Sequence, residues 1–178
     1  MAELIRLRPE HQASFLSFWD ELVEAGEDAG GWLNWGDDRD RDALADPAEF
    51  ARWCEYVDYQ EVLPLETLPP DGVRNSVRYL AEDGELLTRV SIRHDLTDYL
   101  LQNGGHIGYI VRPSQRRQGY ATQTLAQALE VAAELGIEQA LVTCEDDNVA
   151  SARTIESNGG VMEDIRENIR RYWVATKR

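Results

Sequence analysis

The chain is short of cysteine and histidine, the residues that build disulfide frameworks and zinc sites. Its two cysteines, Cys54 and Cys144, lie 90 positions apart, and three histidines are scattered without metal-ligand spacing. We therefore expect free thiols in a reducing compartment, with neither a disulfide nor a bound metal. Lysine is almost missing too, since 17 of the 18 basic residues are arginine. We attribute that bias to genome composition rather than to function.

Long apolar runs are also missing. No stretch approaches the roughly 18 residues that span a bilayer. Residues 1–12, MAELIRLRPEHQ, lack the apolar segment of a signal peptide, so we expect a cytoplasmic protein. Positive charge is scarce, with 18 Lys and Arg against 33 Asp and Glu and a net charge of −15. This balance argues against nucleic acid and membranes as partners and favours neutral or cationic ones.

What remains is the composition of one folded domain. The 178 residues are 43% apolar and 29% charged, enough to bury a core without disulfides or metals. The negative charge is uneven along the chain. Residues 1–60 carry 15 acids and 5 bases, a net of −10, whereas residues 61–120 have a net of −1 and residues 121–178 of −4.

The hydrophobic pattern predicts strands and helices in mixed order. The predicted strands cover residues 4–8, 73–81, 86–94, 106–111, 139–143, 161–169 and 171–175. The predicted helices cover residues 10–25, a segment starting at Asp46-Pro47, 119–135 and 147–157. Residues 26–42 and 95–105 are interpreted as loops because they are rich in Gly and Asp or end in Gly-Gly. The predicted order of elements, with hairpins first and a β-α-β-α-β arrangement later, indicates a single α/β or α+β domain.

The most informative stretch is RRQGYA, residues 116–121, between a predicted strand and a predicted helix. Gly119 allows a sharp turn and close approach of the backbone to a ligand. The following helix start offers unpaired N–H groups and the positive end of its dipole. Together with Arg116 and Arg117 they predict a phosphate or pyrophosphate site. The alternative is an ordinary surface turn with solvated arginines, which the strand and helix context disfavours.

At this point the sequence resembles the GNAT superfamily of acyl-CoA-dependent N-acetyltransferases. Arg116, Gly119 and Ala121 match the family's loop signature, and residues 107–111 look like its central strand. A second motif in the expected order is Asn148-Val149-Ala150-Ser151, with a helix that ends at Asn158-Gly159-Gly160. The resemblance is strong over about residues 73–175 and weaker, although compatible, before them.

The resemblance implies one domain, residues 1–178, with a mixed, mostly antiparallel twisted sheet that is flanked by helices and splayed between its fourth and fifth strands. Acetyl-CoA, as co-substrate and without a metal, would lie in that split within the part formed by residues 73–178. Residues 1–72 would supply the helices and loop on the acceptor side. The implied reaction is direct transfer of the acetyl group to a primary amine of a small molecule or peptide.

The resemblance also assigns cofactor-binding residues. The backbone of the central strand would pair with pantetheine, the loop amides would hold the pyrophosphate, and the second motif would face the thioester. These residues are Tyr109, Ile110, Val111, Arg116, Arg117, Gln118, Gly119, Tyr120, Ala121, Thr122, Asn148 and Ser151.

The proton-transfer residues of the family are not matched. Many relatives have a Tyr acid seven residues after the motif Asn, where this chain has Ile155, and a Glu base near the position of Gly105. His106 and His94 are the candidate bases, because an imidazole pKa of about 6.5 suits proton transfer at neutral pH. A structural hydrogen-bonding role is the alternative for each histidine.

The acidic N-terminal third would form the acceptor side. Its aromatic and acidic residues could build an anionic mouth for a protonated amine. They are Trp32, Trp35, Asp37, Asp38, Asp40 and Asp42. The alternative is a solvated loop with packing tryptophans. Two other functions stay open, a non-catalytic acyl-CoA-binding or sensing module and an unrelated nucleotide-phosphate-binding domain, as do the acceptor and the oligomeric state, a homodimer included.

Overall fold

Seven strands form one mixed sheet in the computed structural model, which describes residues 1–34 and 37–177. The strands are β1 (Glu3–Ile5), β2 (Asn75–Glu82), β3 (Glu85–Arg93), β4 (Ile107–Val111), β5 (Gln139–Glu145), β6 (Val161–Arg166) and β7 (Ile169–Ala175). Their order is β1-β2-β3-β4-β5-β7-β6, and each neighbouring pair is antiparallel except β4 and β5. The predicted sheet and fold class are confirmed.

Helices cover both faces of the sheet. They are α1 (Gln12–Glu24), α2 (Ala29–Leu33), α3 (Arg41–Ala45), α4 (Pro47–Tyr59), α5 (Asp98–Gln102), α6 (Tyr120–Glu134) and α7 (Val149–Ser157). One core joins α1–α4 to β2, and a second joins α6 and α7 to β3, β4, β5 and β7. In the part of the chain that the structure describes, no helix is both long and apolar enough to cross a membrane.

Aromatic packing holds the first group of helices on the sheet. Phe15 of α1 lies 5.3 Å from Phe50 and 5.0 Å from Trp53 of α4, measured between ring centroids. Tyr79 of β2 meets Phe15 edge-on at 6.4 Å. Such pairs add about 0.5–1.5 kcal/mol each beyond the area they bury. The wall formed by α1 and α4 is therefore firmly attached to the sheet.

Two segments interpreted as loops contain short helices. Helix α2 lies within residues 26–42, where the Asp28 carboxylate accepts the N–H of Gly31 at 2.9 Å. Helix α5 lies within residues 95–105, where the Thr97 hydroxyl accepts the N–H of Leu100 at 3.2 Å. Each cap satisfies a free donor of a first turn. Each five-residue helix also buries a leucine, which the glycine-rich composition around it hides.

The parallel strands β4 and β5 diverge almost at once. Ile107 opposite Val142 is their only paired position within the described residues, whereas β3 and β4 pair over five positions. The predicted split between the fourth and fifth strands is therefore confirmed. It opens toward the end of β4 and the loop that leads into α6.

Candidate active site

The loop between β4 and α6 presents backbone donors to open space. The first backbone bond of α6 runs from the N–H of Gln123 to the carbonyl of Gly119, so the N–H groups from Gly119 to Thr122 are the free donors of a helix start. Gly119 has a φ of 86°, and a Cβ there would meet nothing within 4 Å. Arg117 is also left-handed, with a φ of 63°. This backbone fits a pyrophosphate group, since donors converge where space is free.

The arginines around this loop are less available than their number suggests. Arg112 is buried and bonds to Glu21 at 2.7 Å and to Ser17 at 2.6 Å. Arg116 is paired with Glu27 at 2.7 Å. Arg117 alone of the three has no ion-pair partner within residues 1–34 and 37–177. The positive charge expected of the cluster therefore reduces mostly to Arg117 and the helix start.

The edge of β4 that faces the split is partly unpaired. The register with β3 turns the backbone groups of Gly108 and Ile110 toward β3 and those of Tyr109 and Val111 toward the split. The carbonyl of Val111 accepts a bond from Arg116 Nε at 3.2 Å. The N–H groups of Tyr109 and Val111 and the carbonyl of Tyr109 can therefore bind an extended ligand, whereas the backbone of Ile110 is engaged with β3.

A pair of hydroxyls bridges the two walls of the split. The Tyr109 hydroxyl lies 2.8 Å from Ser151 Oγ at the start of α7. Asn148 caps that helix, because its side-chain oxygen accepts the N–H of Ser151 at 3.0 Å. Burial raises the pKa of Tyr109 to about 12, so its phenol is protonated at neutral pH. Sequence reasoning considered only the backbone of Tyr109, since the hydroxyl contact joins two distant elements.

His106 is committed to the structure of the sheet. Its ring Nδ1 accepts the backbone N–H of Leu141 at 2.9 Å, and its backbone N–H donates to the backbone carbonyl of Leu141 at 2.7 Å. A neutral imidazole that accepts at Nδ1 carries its proton on Nε2, which leaves no free lone pair for a base. Burial lowers the pKa of His106, which also disfavours the charged ring.

His94 follows the end of β3. Its Nε2 lies 2.8 Å from Ser76 Oγ of β2, and burial lowers its pKa. The structure thus places this histidine at the β2–β3 side of the sheet rather than in the split. It does not bring His94 together with the loop or with the hydroxyl pair.

Gly105 and Ile155 stand where many relatives have the base and the acid, and both are tightly packed. A Cβ on Gly105, which has a φ of 61°, would lie 2.4 Å from the carbonyl oxygen of Leu141. A glutamate there would require β5 to move. Ile155 is 0% exposed and belongs to the core beneath α6 and α7.

A narrow cleft lies between α2, α4 and the sheet, in the region predicted to bind the acceptor. Its lining residues are Leu33, Asn34, Asp37, Trp53, Tyr56, Val57, Gln60, Val77 and Arg89. Of the predicted anionic mouth, Asp37 bonds to Arg39, and Asp40 caps α3 by accepting the N–H of Ala43 at 2.8 Å. Trp32, Asp38 and Asp42 lie at or near the surface, and Trp35 falls outside the described residues.

Comparison with known proteins agrees with this geometry. The model of the acetyltransferase (GNAT) domain family matches residues 21–161, so the chain belongs to the GNAT acetyltransferase family. Comparison with curated proteins finds no significant match. The family match begins in α1, well before the part of the chain in which its motifs can be recognised by eye.

Three solved structures illustrate the shared fold. RimJ of Mycobacterium smegmatis, in complex with a CoA disulfide, is 15% identical with a TM-score of 0.67 over 98% of this chain and 81% of that one. The ribosomal-protein-S5-alanine acetyltransferase of Vibrio fischeri is 10% identical, with a TM-score of 0.66 over 99% and 93%. The yncA acetyltransferase of Salmonella typhimurium, with acetyl-CoA, is 13% identical, with a TM-score of 0.58 over 99% and 94%.

Proposed function

We propose that this protein transfers the acetyl group of acetyl-CoA directly to a primary amine of a small molecule or peptide. The observation that carries the proposal is the continuity of two sets of donors, the free amides of Gly119–Thr122 and the open edge of β4. The loop amides suit a pyrophosphate, and the edge of β4 suits an extended arm that contains amide groups. A pantetheine chain with its diphosphate has that sequence of groups.

Each wall of the split has a separate role in this proposal. The loop amides and Arg117 bind and orient the diphosphate, and the backbone of Tyr109 and Val111 holds the pantetheine arm. A β4 N–H that faces the split stabilises the oxyanion of the tetrahedral intermediate. Residues 1–72 supply the wall against which the acceptor binds, and residues 73–178 supply the acetyl-CoA core.

The Tyr109–Ser151 pair assists the leaving thiolate. A thiol pKa of about 8.5 makes the thiolate a tolerable leaving group, so a hydrogen bond is sufficient help. Ser151 Oγ donates its hydrogen to the sulfur, and the Tyr109 hydroxyl donates to Ser151 Oγ. The two hydroxyls thus form a chain of hydrogen bonds that ends at the sulfur. No proton needs to leave the strongly buried phenol of Tyr109.

The acceptor must lose its ammonium proton without help from His106, whose Nδ1 is occupied. Transfer to solvent at the cleft mouth serves this step. The rate should then rise with pH in step with deprotonation of the acceptor. It should lack a separate inflection near the imidazole pKa of about 6.5.

A thiol-release assay with acetyl-CoA across a panel of amines tests the function, after a thermal-shift measurement of acetyl-CoA binding. The names of two structural neighbours, the ribosomal-protein-S5-alanine acetyltransferase and RimL, a ribosomal L7/L12 acetyltransferase, concern ribosomal proteins, so peptide N-termini belong in the panel beside amino acids and polyamines. We expect stabilisation by acetyl-CoA and turnover with at least one amine. Binding without turnover on any amine would indicate a sensing module. Stabilisation by nucleoside triphosphates but not by acetyl-CoA would indicate a nucleotide-binding domain.

A further inference from the structure

A buried arginine without an anion lines the acceptor cleft. Arg89 of β3 is 8% exposed, and its Nε has no hydrogen-bond partner. Among residues 1–34 and 37–177, no carboxylate forms an ion pair with its guanidinium. The side chain lies on the face covered by α1–α4, since Val90 next to it packs on the opposite face.

Two more polar atoms around the cleft are unpaired. The Oδ1 of Asn34 has no partner, and its amide orientation is fixed because Nδ2 donates to the carbonyl of Arg39 at 2.5 Å. The hydroxyl of Tyr79, directly across from Arg89 on β2, faces that guanidinium but makes no hydrogen bond of good geometry. Three unsatisfied groups at one place are unusual, because natural proteins pair almost all buried polar atoms.

The positive charge at this face extends along β3. Arg93, two positions from Ser91 on the same face, donates to the carbonyls of Gly104 and Gly105 at 2.9 and 3.1 Å. Burial lowers the pKa of Arg93 to about 10, and it lowers that of Arg89 as well. The buried Arg89 and the half-buried Arg93 thus have no ion-pair partner among the described residues, in a chain whose net charge is −15.

The position of Arg89 connects this charge to the reaction. Its register partner is Ile110 of β4, beside the backbone groups of Tyr109 and Val111 that face the split. Adjacent strands lie about 4.8 Å apart, so the backbone of Arg89 is one strand away from the edge of β4 that faces the split. The cleft has space for about one water-sized group, which suits a single carboxylate oxygen entering from the mouth.

We propose that the acceptor is an amine that also carries a carboxylate, and that Arg89 binds that carboxylate in the cleft between α2, α4 and β3. The inference rests on the proposed function and names its acceptor class. The Tyr79 hydroxyl can donate to that carboxylate, whereas Asn34 Oδ1 is an acceptor and would face a donor group of the ligand. Asp37, which also lines the cleft, is paired with Arg39. The carboxylate belongs either to a free amino acid or to an acidic peptide.

Matched acceptors test this specificity. The wild-type enzyme is assayed with free amino acids against their carboxamides, and with peptides that carry Glu against the same peptides with Gln. We expect kcat/KM to be about ten- to hundred-fold higher for the acid member of a pair, the worth of a hydrogen bond to a charged group. The series that shows the difference identifies the source of the carboxylate. Equal rates for acid and amide in both series would overturn the proposal and leave Arg89 with a buried water only.

Variants at Arg89 separate binding from structure. Arg89→Met should remove the preference for acids, keep the thermal shift with acetyl-CoA, and leave the melting temperature unchanged or higher, because it replaces an unpaired buried ion by an apolar group. Arg89→Lys should restore part of the preference. Arg52→Met, an exposed arginine of α4, is the control. A lower melting temperature with equal losses for all acceptors would mean that Arg89 is structural.

Binding of a carboxylate at Arg89 can be measured even if the protein acetylates no amine. Should no amine be acetylated although acetyl-CoA binds, the function fails, and thermal shifts with the amino acids alone still examine the cleft. Stabilisation of the wild type by acids but not by amides, absent in Arg89→Met, would support the carboxylate site. No stabilisation by any of them would contradict it.

Discussion

Gly119 and Gly136 stand at the two ends of α6 in nearly the same backbone conformation, with φ of 86° and 84°. A Cβ on either would meet nothing within 4 Å. We expect Gly119→Ala and Gly136→Ala to lower stability alike, by about 1–2 kcal/mol, because a left-handed conformation disfavours any Cβ. Only Gly119→Ala should weaken acetyl-CoA binding, as measured by calorimetry, since its methyl group points into the space in front of the loop amides.

Gly136→Ala is thus a control with the same backbone cost and no part in the loop. Wild-type affinity for acetyl-CoA in both variants would show that the diphosphate binds elsewhere. Equal weakening in both would show that the effect comes from α6 as a whole.

The buried histidines should make stability depend on pH between about 5 and 7. Burial lowers the pKa of His106 and of His94, so the unfolded chain binds protons that the folded chain refuses. Stability is therefore full above the unfolded pKa of about 6.5 and is lost as the pH falls through the folded pKa. We expect urea unfolding to show this slope, and His106→Gln and His94→Gln each to reduce it. If the stability of the wild type did not change between about pH 5 and 7, the lowered pKa values of the two histidines would be contradicted.

At the scale of single residues, the sequence predicts a role correctly where that role depends only on the residue's own backbone conformation. Gly119 could be placed at a sharp turn because only its own φ matters. The commitment of His106 to Leu141 could not be predicted, since it depends on how β5 lies against β4 in space. The same contact explains Gly105, whose missing side chain makes room for the carbonyl of Leu141.

At the level of elements, a contact between strand β4 and the start of helix α7 joins the two sides of the split. Tyr109 of β4 and Ser151 of α7 hold each other across it, and we expect Tyr109→Phe and Ser151→Ala each to lower kcat about ten-fold, with little change in KM for acetyl-CoA. Because the two hydroxyls act as one chain, the double variant should lose little more than the worse single variant. Initial rates of thiol release measure both parameters.

Tyr99→Phe removes the hydroxyl of an exposed tyrosine and should leave these parameters unchanged. Losses that multiply in the double variant would mean that the hydroxyls act independently. Unchanged rates in both single variants would mean that the thiolate leaves without either.

Long elements with a repeated pattern were predictable, whereas short ones were not. Phe50, Trp53, Cys54 and Val57 recur at helical spacing in the sequence, and they are the buried residues of α4. Helices α2 and α5 have five residues each, too few for a periodic signal. They form because one cap and one buried leucine stabilise each of them within the fold.

For the whole molecule, the distribution of charge matters more than its total. Arginines that look clustered in the sequence, such as Arg112 and Arg116, are paired with acids of the N-terminal third, Glu21 and Glu27. The sequence could not predict these pairs, since their members lie about 90 positions apart along the chain. They bind α1 and the residues that follow it to the loop after β4.

The remaining excess of acids should make the fold sensitive to salt. Raising NaCl from about 0.01 M to 0.15 M shortens the screening length from about 30 Å to 8 Å and weakens repulsion within a chain of charge −15. We expect the melting temperature to rise by about 2–4 °C, which corresponds to about 1 kcal/mol. A neutral osmolyte at equal osmolarity is the control. A melting temperature that falls with salt would mean that the ion pairs outweigh the general repulsion.

Within the described residues β4 and β5 pair at a single position, so few backbone hydrogen bonds join the two parts of the sheet, β1–β4 and β5–β7, and we expect the parts to open as separate units. Amide hydrogens in such units exchange with solvent at separate rates when one opens while the other stays folded. A molecule bound along the split would contact both units at once and join their opening into one event. At a concentration 100 times its Kd it would add about 2.7 kcal/mol to stability. Amide exchange with and without acetyl-CoA would therefore report the joining of the two halves before any acceptor is known.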